Sequence, residues 1–315
     1  MKPKKFTIAQ ERALSMQRKM IESEMKNFNY RKHNCSSLDD LVPELGGTPI
    51  RSVLVTTWRS GSTFLGGILG SHPGDWHNYE PLLHMGIVQI RGSPLAIPAI
   101  TTLQQLLQCK YDDLSDLLEY GKKDADVFQY NKRLWEHCQN SNNRDWLAVK
   151  MVLLVRDPRG TIQSRHHREW CPDRPDCDEP ELLCADLKAN YYSALKLIEK
   201  YPTRFRVIRY EDFSINPYNQ TEKLFKFLNL DVHEEVYQYL NSHTKNKSGG
   251  EWSTFRNSKT APFHWREDMD FKEVNKIQNV CADAMELWGY MPAHNASHMH
   301  TFNPLRPFYF HRNVS

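Results

Sequence analysis

The first stretch of helical rhythm runs from Ala9 to Met25, a polar helix followed by a turn-rich link that ends at Gly46 and Gly47. Then the pattern changes. Ser52 to Thr57 is a short β-branched run, and Thr63 to Leu69 continues with apolar residues at helical spacing. His72 and Pro73 stop that helix, and Asp75 to Glu80 is expected to form a second short strand, broken by Pro81. Residues 99 to 140 carry helical periodicity, with Leu103, Leu106 and Leu107 and then Leu114, Leu117 and Leu118. Ala148 to Val155 is the most apolar strand and is predicted to be central and parallel. Helices follow over Gly160 to Trp170 and Pro180 to Lys200, then a strand over Phe205 to Tyr210 and helical spacing from Pro217 to Leu230. The last predicted helix, Phe271 to Trp288, ends at Gly289, and the tail after Pro292 is expected to be irregular.

Strands alternating with helices imply an α/β fold with a central parallel sheet flanked by helices. Crossovers are then right-handed, and ligands bind beyond the carboxyl ends of the strands. The chain is expected to divide into a helical and linker segment over 1–48, one domain over 49–292 and a tail over 293–315.

The junction between the first strand and its helix reads Thr56-Thr57-Trp58-Arg59-Ser60-Gly61-Ser62-Thr63-Phe64. Gly61 lets the backbone turn tightly, and Ser60, Ser62 and Thr63 supply hydroxyl donors. Amides that open a helix lack intrahelical partners, so they face an anion together with the positive end of the helix dipole. This is P-loop logic without the Walker sequence, which makes a nucleotide triphosphatase the weaker reading. Arg59 stands where a P-loop has its lysine and can fork onto two oxygens. Phe64 either packs against a base or fills the helix–sheet interface. A second element lies at the end of the apolar strand, where Arg156 is followed eight residues later by Ser164. Arg156 at the strand's end and Ser164 two turns into the helix are placed to share one phosphate.

These two elements resemble the sulfotransferase superfamily, and more closely its carbohydrate branch, the galactose, N-acetylglucosamine and N-acetylgalactosamine 6-O-sulfotransferases. The matching stretches are Arg59–Phe64, Tyr79-Glu80-Pro81-Leu82, Leu154–Gly160 and Arg209-Tyr210-Glu211-Asp212. Further along come Thr254–Ser258, Trp265-Arg266 and Met285–Tyr290. The resemblance implies 3′-phosphoadenosine 5′-phosphosulfate (PAPS) as donor, with Arg59 to Thr63 on its 5′-phosphosulfate and Arg156 and Ser164 on its 3′-phosphate. It implies a glycan or glycosaminoglycan acceptor, and no metal is required. Arginine rather than lysine at position 59 matches the carbohydrate branch. The acceptor hydroxyl needs a base, and Glu80, in the Glu-Pro-Leu motif, is the candidate. It either takes the proton or pairs with an arginine and orders the loop; His77 and His84 are the weaker candidates.

Composition adds the setting. Apolar residues make up 40% of the 315 and charged residues 25%, a globular balance, and a net charge of +3 with no basic stripe gives no reason to expect nucleic acid. His166 and His167 are adjacent and project in different directions, a poor ligand pair. No stretch of about 18 apolar residues and no signal-peptide pattern is visible, although the family is usually membrane-anchored. Two features nevertheless point to a secretory lumen, which the resemblance implies is that of the Golgi. Five sequons occur, at Asn34, Asn219, Asn246, Asn295 and Asn313, and Cys171 and Cys177 are spaced to close a disulfide. Seven cysteines leave at least one thiol outside any internal pairing.

Overall fold

The computed structural model describes residues 8–33, 35–41, 50–75, 77–108, 110, 113–124, 149–171, 173–245 and 257–310. In chain order the elements are α1 (Ile8–Glu24), β1 (Arg51–Val55), α2 (Ser62–Gly70), α3 (Ala96–Leu107), α4 (Ser115–Lys123), β2 (Val149–Val155), α5 (Pro158–His166), α6 (Pro175–Asp178) and α7 (Pro180–Lys200). They continue with β3 (Phe205–Arg209), α8 (Tyr210–Ile215), α9 (Pro217–Leu228), α10 (Glu234–Thr244), α11 (Trp265–Asp268), α12 (Phe271–Val280), α13 (Ala282–Leu287) and α14 (Ala296–Thr301). The chain groups into two compact units, residues 1–51 with 69–147, and residues 52–68 with 148–315. Residues 125–148, which include Ala148 and the end of the helical stretch expected over 99–140, and the sequons at Asn34, Asn246 and Asn313 lie outside the described residues.

In the first unit, α3 buries Ala99, Thr102 and Leu106, whose spacing of three and four puts them on one face. The strand expected over Asp75–Glu80 does not form among its described residues. Gly74 and Glu80 both hold left-handed backbone, with φ of 75° and 43°. Those turns at either end deny the segment the extended run a ladder needs.

The second unit holds a sheet in the order β1-β2-β3. β2 is central, as its apolar sequence predicts, and runs parallel to β3 in a register from Met151 opposite Phe205 to Val155 opposite Arg209. Val152 to Val155 are all buried. Leu153, Val155 and Ile162 share a core with Leu183 and Leu187 of α7 and with Trp265 and Trp288. Two disulfides, Cys171–Cys177 and Cys184–Cys281, lie within this unit.

Three sequence expectations need correction here. Tyr210 does not extend β3 but opens α8. The helix expected over Phe271–Trp288 is two helices that meet at Cys281, whose φ and ψ are −93° and 8°. Val274, Ile277, Cys281, Ala284 and Trp288 are all buried, at helical spacing across the break, so the apolar pattern carries no trace of it. Nor is the tail irregular throughout: among its described residues Ala296–Thr301 form α14. Asn295 caps α14 by accepting from the His298 amide at 2.8 Å, Met299 is buried, and Tyr290 forms an antiparallel bridge with Leu305.

Candidate anion-binding site

β1 ends at Val55 and α2 begins at Ser62, so residues 56–61 form the loop between them. Thr56 Oγ1 donates to the Leu154 carbonyl at 2.8 Å, fixing the loop's entry against the central strand. Thr57 and Ser60 are buried, with their hydroxyls 2.9 Å apart. Arg59 has φ of 65°, a left-handed conformation that costs a non-glycine residue roughly 1–2 kcal/mol. Gly61 has φ of 95°, and a Cβ there would stand 2.4 Å from Tyr210 Cδ2. Only glycine fits that position, because the turn needs both the torsion and the close approach.

α5 sits beyond the carboxyl end of the central strand. Pro158 is its first residue, and Asp157 caps it by accepting from the Arg159 amide at 2.9 Å. Ser164, two turns on, accepts from Arg59 Nε at 3.1 Å. Arg156 donates through Nη1 to the Arg59 carbonyl at 2.7 Å and lies 4.8 Å from the Tyr210 ring centre. The structure therefore gathers Arg59, Ser164 and Arg156 into one place, across 105 residues of sequence in the case of Arg59 and Ser164. Arg156 Nε is buried and has no hydrogen-bond partner among the described residues. An orphaned guanidinium donor of this kind costs free energy unless an anion or water takes it up.

A buried polar frame holds this end of the sheet. Arg159 makes a two-pronged ion pair with Asp157 at 2.7 and 2.9 Å and donates to the Met291 carbonyl at 3.0 Å. Glu211 accepts from the Asp157 amide at 3.0 Å and from the Tyr290 hydroxyl at 2.8 Å. Burial, reinforced by the charge of Asp157, pushes the Glu211 carboxyl up to about 7. Arg209 grips Asp212 at 2.8 Å through two nitrogens.

The remaining candidates fall as follows. Ser62 and Thr63 open α2, half-buried. Phe64 packs edge-on against Phe213 of α8 at 6.2 Å, a helix–helix contact rather than the helix–sheet packing expected. Glu80 is exposed in the first unit, and its carbonyl accepts from the Leu83 amide at 3.1 Å. His166 and His167 are exposed beside Glu273 and Asp268, and no group of three or more metal-ligating side chains occurs among the described residues. Thr254 to Arg256 lie outside the described residues.

Sequence reasoning missed two features. Tyr210 limits the loop at Gly61, although Arg209-Tyr210-Glu211-Asp212 stood in the sequence only as one of the stretches that match the family. A cavity of about 620 Å³ is lined by Tyr218, Thr244, Lys245, Asn257, Ser258 and Lys259 together with the turn at Ile215. Its lining comes from segments up to 44 residues apart and leaves no local pattern.

A family described as Sulfotransferase domain matches residues 49–289. The chain is 22% identical to Carbohydrate sulfotransferase 4 of Mus musculus over 319 aligned positions, covering 77% of this chain and 82% of that one. It is 24% identical to Carbohydrate sulfotransferase 3 of Mus musculus, over 80% of this chain and 70% of that one. It is 20% identical to Carbohydrate sulfotransferase 6 of Homo sapiens, over 80% and 84%.

Proposed function

The chain belongs to the sulfotransferase family, and from that premise we propose that it transfers a sulfuryl group from PAPS to a sugar hydroxyl. The acceptor we favour is the 6-hydroxyl of galactose, N-acetylglucosamine or N-acetylgalactosamine on a glycan or glycosaminoglycan. The observation that carries the reading is the meeting of Arg59, Arg156 and Ser164 at the carboxyl ends of adjacent strands, with a buried Arg156 donor left for an anion.

In this reading the loop from Arg59 to Thr63 holds the 5′-phosphosulfate, and Arg156 with Ser164 holds the 3′-phosphate. The donor supplies an activated sulfur–oxygen bond. Sulfuryl transfer, like phosphoryl transfer, asks a protein chiefly for alignment and for positive donors at the leaving side. Arg59 and the loop amides supply those donors, and no metal enters. α8 rises about 8 Å from Tyr210 to Ile215 at 1.5 Å per residue, so it leads from the loop to the cavity over about the length of a nucleoside. We place the adenosine end of the donor there, beside Thr244 and the two lysines. Glu80, on its motif alone, is the group proposed to take the acceptor's proton. The two disulfides, and sequons exposed at Asn219 and Asn295, favour the Golgi lumen.

The deciding experiment is transfer of radiolabelled sulfate from PAPS, in chelator, to a panel of desulfated glycans, with disaccharide analysis of the product. Label in a 6-sulfated hexose or hexosamine is expected. Transfer that requires magnesium, or label only on phenols or tyrosine, would overturn the reading.

A further inference from the structure

Arg165 lies one residue beyond Ser164 and is only 1% exposed, with Ile162 on the same inward face of α5. Its hydrogen bonds go to main-chain carbonyls in two distant segments. Nε donates to the Trp58 carbonyl at 3.2 Å, and Nη1 donates to the Cys177 carbonyl at 2.8 Å and the Asp176 carbonyl at 3.4 Å. The first carbonyl belongs to the phosphosulfate loop. The other two belong to the segment closed by the Cys171–Cys177 disulfide. Trp170, just before that bridge, packs edge-on against the Trp58 ring at 5.8 Å, a second link between the two segments.

The consequence follows from the planarity of the peptide unit. In a trans peptide the C=O of one residue and the N–H of the next point in opposite directions. Arg165 draws the Trp58 carbonyl towards α5, so the Arg59 amide faces the other way. Arg156 does the same one residue on, drawing the Arg59 carbonyl towards itself and turning the Ser60 amide outward. Two successive amides are thus set on the side opposite the two arginines, at the residue whose left-handed φ of 65° needs outside support to persist. Two such amides form an anion-binding nest. Burial pulls the Arg165 guanidinium down to about 10, with Asp186, Asp176 and Asp178 opposing, and it remains a cation at neutral pH.

We propose that Arg165 is a positioning residue for donor binding, which braces the Trp58 carbonyl against the Cys171–Cys177 loop and so aims the Arg59 and Ser60 amides at the donor's anionic group. This rests on the donor assignment above. The disulfide loop is then the far anchor of the phosphosulfate loop, and not only a local staple.

The test compares the full chain with Arg165→Lys and with the double variant Cys171→Ser/Cys177→Ser. Lysine keeps the charge but cannot span three carbonyls in two segments. Calorimetry with 3′-phosphoadenosine 5′-phosphate is expected to show about tenfold weaker binding in each variant, the usual scale for one charge-assisted hydrogen bond. The donor KM is expected to rise in step while the acceptor KM stays put. Combining the substitutions is expected to cost less than the product of the two, since they break one brace. Unchanged nucleotide affinity, or donor and acceptor KM rising together with lost thermal stability, overturns the proposal. Should neither variant fold, hydrogen exchange on the unmodified protein decides. Protection of the 59–60 amides on adding the nucleotide supports the brace, and no change there overturns it. Failure of the unmodified protein to bind the nucleotide at all instead sinks the donor assignment.

Discussion

Arg156 carries more of the site than its neighbours, because one guanidinium does three things. It holds the loop through the Arg59 carbonyl, lies over Tyr210, and presents a buried Nε that no described residue engages. Arg156→Ala is expected to weaken binding of 3′-phosphoadenosine 5′-phosphate by about 1.5–3 kcal/mol, the scale of a lost charge-assisted hydrogen bond. Calorimetry reads this directly, and an unchanged dissociation constant removes Arg156 from the site. Glu80 poses a different question, proton transfer or loop ordering. Glu80→Gln keeps the shape of the side chain but cannot accept the proton. If Glu80 is the base, nucleotide affinity holds while turnover falls roughly 10²–10⁴-fold. Loosened nucleotide binding with a modest fall in turnover assigns Glu80 to loop ordering instead.

The strand-loop-helix from Arg51 to Gly70 works as one element, and its tightest point is Gly61. A side chain there meets the Tyr210 ring and also strains a φ of 95°. Gly61→Ala is therefore expected to displace the loop, at a torsional cost of roughly 1–2 kcal/mol before any clash is counted. Nucleotide affinity is expected to drop at least about tenfold, with a smaller loss of thermal stability. Equal affinity in the alanine variant would show that the loop does not need this geometry. α5 illustrates why elements resist reading from sequence. Its polar composition suggests a surface helix, yet Pro158 to Gln163 and Arg165 are all buried. The reason is that Arg159 and Arg165 find their partners in Asp157 and in carbonyls of residues 58, 176, 177 and 291. A spacing of three between Ile162 and Arg165 was the one available sign that an arginine points inward.

At the scale of the whole molecule, the second unit is tied together by long-range covalent and polar links. Cys184–Cys281 closes 97 residues, joining α7 to the junction of α12 and α13. Its removal by Cys184→Ala/Cys281→Ala is expected to cost about 4.7 kcal/mol on loop-closure grounds, seen as a lower denaturation midpoint. Glu211 links the end of β2 to Tyr290 in the C-terminal part of the chain. Its carboxyl is raised from 4.5 to about 7, so its contribution is complete below pH 4.5, where folded and unfolded chains are both protonated. Stability then falls between about pH 4.5 and 7, as the unfolded chain releases a proton that the folded chain keeps. Glu211→Gln is expected to remove this slope from the pH dependence of unfolding. A slope identical to that of the unmodified protein excludes Glu211 as its source.

Sequence by itself determined what local pattern and chemistry encode. The apolar run at β2 pointed to a buried central strand, and the string around Gly61 to a tight turn before a helix. The Arg156 and Ser164 pair was legible because strand end and helix turn fix their separation. Tertiary structure alone decided which distant segments meet. The Arg59–Ser164 contact, the Cys184–Cys281 bridge, the cavity beside Thr244 and Lys245, and the brace through Arg165 all join parts of the chain that share no local period. The break at Cys281 and the helix α14 belong with them. An apolar spacing of three and four continues through that break, and α14 depends on an Asn295 cap, one buried methionine and a bridge between Tyr290 and Leu305. Periodicity records which face a residue turns inward, whereas the partner it meets there depends on how the strands and helices pack.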